Sequence, residues 1–271
     1  MASGVARLTI AARLVRKARP LLCCLLLQAA AAQAEDLSLT NLIGQGDLLS
    51  QKHETQAALE RYLQAEKLSP TNADIQIKLA AVYCDLMHGK SKADQKTPAE
   101  QALACAQRAA ADDPQSAKAH VCVAVCYAKN FPWCDNQTKI NYSRQIKAEA
   151  EKAVALDPKY DLPYHMLGRW NCEVANMNFF LTGLVKLIYG GLPSASNEMA
   201  IQNFKKAIEL APTRIIHHLQ LAHMYDITRQ KKLMADELKA CATFVPFDLD
   251  DADAQQIAAK VLQTGKWPAE F

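Results

Sequence analysis

Five prolines constrain this chain more than any other feature. Pro70, Pro114, Pro158, Pro212 and Pro246 each close a helix-like run, after Leu68-Ser69, Asp112-Asp113, Leu156-Asp157, Leu210-Ala211 and Phe244-Val245. Proline lacks an amide hydrogen and its ring clashes with the preceding turn, so it stops a helix. The intervals between them are 44, 44, 54 and 34 residues. Small and bulky positions keep phase with these stops. Counting back from Pro70 gives Ala65, Tyr62, Ala58 and Gly46, and from Pro114 it gives Ala109, Ala106 and Ala102, with Leu79-Ala80 and Tyr83 before them. Pro158 is preceded by Ala153, Ala150 and Ile146, with Val123-Ala124 and Tyr127. Pro212 follows Ala207, Phe204 and Ala200, with Leu167-Gly168, and Pro246 follows Cys241, Leu238 and Met234, with Leu221-Ala222 and Tyr225. Small residues let two helices approach, and bulky ones fill the space between them.

This register resembles the tetratricopeptide helix pair, whose unit is 34 residues long. It predicts an all-α superhelical solenoid with five units over 39–72, 73–116, 117–160, 161–214 and 215–248. The extra residues of units two to four fall between the two helices of each pair, giving lengthened hairpins. Such an array grows by stacking, so 271 residues need not divide into separate cores. Ala254, Ile257, Ala258, Val261 and Leu262 follow at helical spacing behind Asp250, Asp251 and Asp253. Acids suit a helix start, and residues 249–271 are expected to form a capping helix and tail.

The N-terminus reads as an address. Residues 1–34 hold Arg7, Arg13, Arg16, Lys17 and Arg19 with no acid, then the run from Leu21 to Leu27 and an end at Ala32-Gln33-Ala34. A basic start, a short apolar stretch and a small-x-small end describe a cleavable signal peptide, with cleavage expected after Ala34. A mitochondrial presequence is the alternative. The remaining 26 basic residues meet 28 acidic ones, which argues against a nucleic-acid binder. Seven cysteines follow residue 34, an odd number that cannot pair completely within one chain. They are read as small buried residues at helix contacts. Asn136-Gln137-Thr138 and Asn141-Tyr142-Ser143 are glycosylation acceptors only if the chain enters a eukaryotic secretory pathway.

The fourth unit opens with Leu167-Gly168-Arg169-Trp170 and stops at Pro193-Ser194-Ala195 before its second helix. With the lengthened hairpins of units two and three, this resembles the regulator of microtubule dynamics family over roughly Asn41 to Leu262. The resemblance implies a non-enzymatic scaffold. Animal relatives are linked to microtubules, and some to mitochondria and their contacts with the endoplasmic reticulum. A lipid-binding role is attached to the fold in one branch. A secreted chain would not meet tubulin, and only the scaffold would then carry over.

The sequence holds no phosphate-binding Gly-x-x-x-x-Gly-Lys loop, Gly-x-Ser-x-Gly or His-Glu-x-x-His. No catalytic residue, cofactor or metal is expected. His217 and His223 are six apart, a poor ligand spacing on one helix face, and His218 falls in a packing slot. Arrays of this kind present the first helix of each unit on a concave surface. Those slots hold Asp47, Ile77, Asp85, Lys118, Lys129, His165, Arg169, Glu173 and His223. Lys118, Lys129, His165 and Arg169 would form a basic strip for an acidic peptide segment or a phospholipid headgroup. An ordinary solvated helix face is the alternative. Arg169 stands out because Trp170 anchors its helix, while Tyr164 is expected in the core. Residues 179–192 form an apolar hairpin with Phe179, Phe180, Leu184, Leu187 and Ile188. It either packs over its own unit or forms a lip for lipid or a partner helix, and is too short to span a membrane.

Overall fold

The computed structural model of the chain describes residues 38–268, and the predicted targeting segment 1–34 lies outside them. Among the described residues there are helices and no strands. They follow as α1 (38–51), α2 (Thr55–Leu68), α3 (Ala73–Asp85), α4 (Lys92–Asp112), α5 (Ala117–Asn130), α6 (Asn136–Leu156) and α7 (Asp161–Ala175). Then come α8 (Phe179–Tyr189), α9 (Asn197–Leu210), α10 (Ile215–Ile227), α11 (Lys231–Cys241) and α12 (Leu249–Thr264). Antiparallel pairs α3/α4, α5/α6, α7/α9 and α10/α11 stack into the all-α superhelix that the proline register predicts.

The punctuation has a local cause. Ser69, Asp113, Asp157 and Ala211 each donate a backbone N–H to an alanine carbonyl four residues back, Ala65, Ala109, Ala153 and Ala207. The proline that follows has no N–H to continue the ladder. After Pro70 and Pro114 the next helix then starts on a side-chain cap. Asn72 accepts from Asp74 and Ile75 at 3.0 and 3.2 Å, and Ser116 accepts from Ala119 at 3.2 Å. These caps satisfy amides that a helix start leaves unpaired.

The long hairpins of units two and three are largely helical. Their second helices, α4 and α6, have 21 residues each, against 14 in α2 and α9. Helical extensions satisfy their own backbone groups, which a long loop would leave to water. In unit four the extra residues instead build the separate helix α8.

Volume compensation sets the helix spacing inside each pair. A Cβ on Gly46 would lie 2.4 Å from the Tyr62 ring, and one on Gly168 would lie 2.7 Å from Phe204. Glycine therefore stands where the facing slot is aromatic. Where that slot is Ala106, Ala150 or Leu238, the opposing residue is Ala80, Ala124 or Ala222, and all six are fully buried. At the far end, Ala254, Ala258 and Val261 of α12 cover Ile215, Leu219, Leu238 and Cys241.

Candidate functional site

The first helices of the pairs line a concave groove of about 720 Å3, with Asp85 from α3, Lys118 and Lys129 from α5, His165 and Arg169 from α7, and Ile216 from α10. The groove is not lined by repeats alone. The start of α12 turns Asp250, Asp253 and Ala254 into it. Asp250 Oδ1 meets Lys129 Nζ at 3.2 Å, and Asp253 meets His88 at 2.9 Å. Arg214 binds Asp248 at 2.9 Å. Asp251, fully buried, accepts from the backbone N–H groups of Ile216 and Phe247 at 2.9 and 3.1 Å. The last helix is thus tied back to units two and three.

These contacts divide the expected basic strip. Lys118 and Arg169 are exposed and form no hydrogen bond or ion pair with the described residues. Glu173 is also exposed, one turn beyond Arg169. Lys129 is paired with Asp250 and offers no free charge. His165 is a correction to the expected strip. It is 6% exposed, and burial, His217 and two arginines hold it well below the usual histidine range, so it contributes no positive charge. His223 is likewise held low by burial, and its ring centre lies 4.8 Å from that of Trp267. Asp47 is engaged by Tyr62 Oη at 2.6 Å and Lys78 Nζ at 2.8 Å. Tyr164, expected in the core, is half-buried and donates to the Pro158 carbonyl. Burial pushes the Asp85 carboxyl up to about 6.

A second cavity, of about 820 Å3, adjoins the groove, with Met166 and Arg169 lining both. Ile140, Trp170, Val185, Tyr189 and Leu192 contribute apolar wall. Trp170 is fixed by donating Nε1 to Ser143 O at 2.8 Å. Helix α8 roofs this space and rests against α6 of the preceding unit. Arg144 of α6 holds it there, donating to the carbonyls of Tyr189 and, at 2.8 Å, Gly191. Val185 faces inward, whereas Leu187 and Ile188 are 84% and 57% exposed. The side chains of Phe179, Phe180 and Leu184 lie outside the described residues. Among the described residues no helix is long and apolar enough to cross a membrane.

Sequence reasoning missed Asp161, Arg214, His88 and the inward role of the α12 acids. Asp250 and Asp253 carried only a helix-start signal, and nothing local points to partners 121 and 165 positions away.

Comparison with known proteins adds the following. A family model described as regulator of microtubule dynamics protein 1–3 matches residues 42–266. Regulator of microtubule dynamics protein 1 of Bos taurus is 26% identical over 235 residues, covering 86% of this chain and 74% of that protein. The Mus musculus protein 1 is 26% identical over 224 residues, covering 82% and 73%. Among solved structures, a thermophilic TPR protein of Thermus thermophilus superposes with a TM-score of 0.61 at 18% identity, covering 83% of this chain and 99% of that one. Pseudomonas aeruginosa pilF gives 0.51 at 16%, covering 85% and 86%. At these identities the structural likeness concerns the fold.

Proposed function

We infer function from one premise: this chain belongs to the regulator of microtubule dynamics family. We propose that it is a non-enzymatic scaffold that holds a protein segment along the concave groove. The observation that carries the proposal is Arg169, an exposed guanidinium at the junction of the two cavities with no hydrogen bond or ion pair to the described residues. An unpaired planar guanidinium suits a carboxylate, which it can take through two parallel hydrogen bonds. Lys118 adds a second unpaired cation in the same groove. The segment is therefore proposed to be acidic. Residues 1–34 would direct the scaffold to the secretory pathway, or alternatively to mitochondria.

A photo-crosslinker at Lys118, expressed in the native cell, tests this reading. Mass spectrometry should find one dominant partner segment. Arg169→Glu should weaken it by about 2 kcal/mol, roughly thirtyfold. Crosslinking unchanged by that substitution, with the helical spectrum intact, would sink the groove as the site.

A second reading, a lipid-binding or membrane-contact module, is supported by the apolar cavity beneath α8 and the outward Leu187 and Ile188. Purified protein would then carry phospholipid, and Leu187→Asp with Ile188→Asp would abolish vesicle flotation. Microtubule dynamics is what the relatives are named for. It becomes a proposal for this chain only where the chain shares a compartment with tubulin, and co-sedimentation with polymerised tubulin tests it.

A further inference from the structure

Two buried histidines carry a hydrogen-bond chain that ends at the groove. Asp161, at the start of α7, places Oδ2 2.8 Å from His217 Nε2. His217 Nδ1 lies 2.9 Å from His165 Nδ1. Two imidazole nitrogens can share a hydrogen bond only if one bears the proton and the other a lone pair. The direction follows from the carboxylate. Burial works against the charge of Asp161, but His217 and Arg214 outweigh it and leave the carboxyl below its usual range. An ionised carboxylate only accepts, so His217 donates from Nε2.

His217 is fully buried, and burial with Arg214 nearby pushes it below its ordinary range in spite of Asp161. The charges facing the two rings are Asp161 on α7, Arg169 on α7, Arg214 before α10 and Asp251 on α12. A neutral His217 that donates from Nε2 has a lone pair on Nδ1. His165 must then donate from Nδ1, and its Nε2 is left as a bare acceptor. Among the described residues the sealed side-chain atoms without a hydrogen bond are Asn171 Oδ1 and Arg214 Nε, the latter 3.4 Å from Asp251 Oδ2. His165 Nε2 is not sealed, and His165 lines the groove.

We propose that Asp161 and His217 are positioning residues that hold His165 as a hydrogen-bond acceptor in the groove wall, so that the bound peptide must present a donor there. This rests on the groove-binding reading above. Residues four apart on a helix stand about 5–6 Å apart, so His165 and Arg169 match roughly two residues of an extended peptide. The acidic side chain meets Arg169, and a backbone N–H or hydroxyl within two residues of it meets His165. One proton added to the chain would turn the outward nitrogen into a donor and reverse this preference.

The tautomers can be read without any ligand. Long-range 1H–15N spectra of the intact chain, labelled at its seven histidines, should show His165 neutral with the proton on Nδ1 and His217 neutral with the proton on Nε2 at neutral pH. Assignment comes from His165→Gln and His217→Gln, or from contacts of the His165 ring to Phe204 if those variants fail to fold. A charged His165, or one protonated on Nε2, overturns the proposal. The second arm uses peptides selected from a displayed random library on the wild-type chain. His165→Phe should weaken them about tenfold, and His165→Gln, whose Oε1 accepts, should restore most of the loss. Equal binding to all three chains overturns the acceptor role. If Arg169→Glu also leaves binding unchanged, the groove reading itself fails, and the tautomers still decide the relay.

Discussion

At the residue scale, one polar device recurs six positions after four of the five repeat prolines, Pro70, Pro114, Pro158 and Pro212. Gln76 Nε2 donates to the Pro70 carbonyl at 3.3 Å, and Tyr164 Oη donates to Pro158 at 3.2 Å. His120 Nε2 and His218 Nε2 meet the carbonyls of Pro114 and Pro212 at 3.0 and 2.9 Å. His120→Gln should keep the contact, as Gln76 does. His120→Leu strands Glu149 and the Pro114 carbonyl and should cost about 1–3 kcal/mol in denaturant unfolding. The histidines also divide by charge. Burial opposes charge on His218, but Glu237 and the Pro212 carbonyl outweigh it and raise its pKa. Its contribution is complete below about 6.5 and fades as pH rises through the folded value. His165 and His217 are shifted down, chiefly by burial. Their contribution is complete above about 6.5 and is lost as pH falls towards the folded values. Thermal melts should show the alkaline decline flattened by His218→Gln and the acid decline reduced by His217→Gln.

At the element scale, helix spacing is set by pairs of facing volumes. Gly168 accommodates Phe204 and Gly46 accommodates Tyr62, whereas Ala222 faces Leu238. Gly168→Ala forces a methyl into the Phe204 ring and should destabilise the chain by about 1–3 kcal/mol. Phe204→Leu added to it recreates the Ala–Leu pairing of unit five and should recover part of that loss. A double-mutant cycle by urea unfolding measures the coupling, and strict additivity would sink this account of the spacing. The pairing was half legible: the small and bulky slots show in the sequence, because they repeat in phase. The place of α8 was not, since its apolar pattern does not say which neighbour it covers. Arg144 on α6 decides that through two carbonyls.

At the scale of the whole molecule, the superhelix returns on itself. Asp250 and Asp253 of α12 meet Lys129 and His88, 121 and 165 positions earlier. Each pair is partly exposed and worth little alone, but together they tie the last helix across the groove. Asp250→Lys with Asp253→Lys should open the array. Small-angle scattering should then show a larger radius of gyration. High salt should move the wild-type chain the same way, because exposed charges are screened. An unchanged radius in both experiments would mean that repeat packing alone fixes the curvature.

The sequence by itself determined the repeat. Proline stops, side-chain caps and small or bulky slots act within one helix pair, so their physics is written in short spacings. It also put Arg169 on the first helix of unit four, because that position follows from the repeat register. Tertiary structure alone decided which of the other concave residues carry charge. Lys129 is matched by Asp250, and His165 is held neutral by burial, by His217 and by two arginines. Charge and proton position depend on burial and on groups brought together by superhelical curvature, and neither is a property of residue type or local spacing.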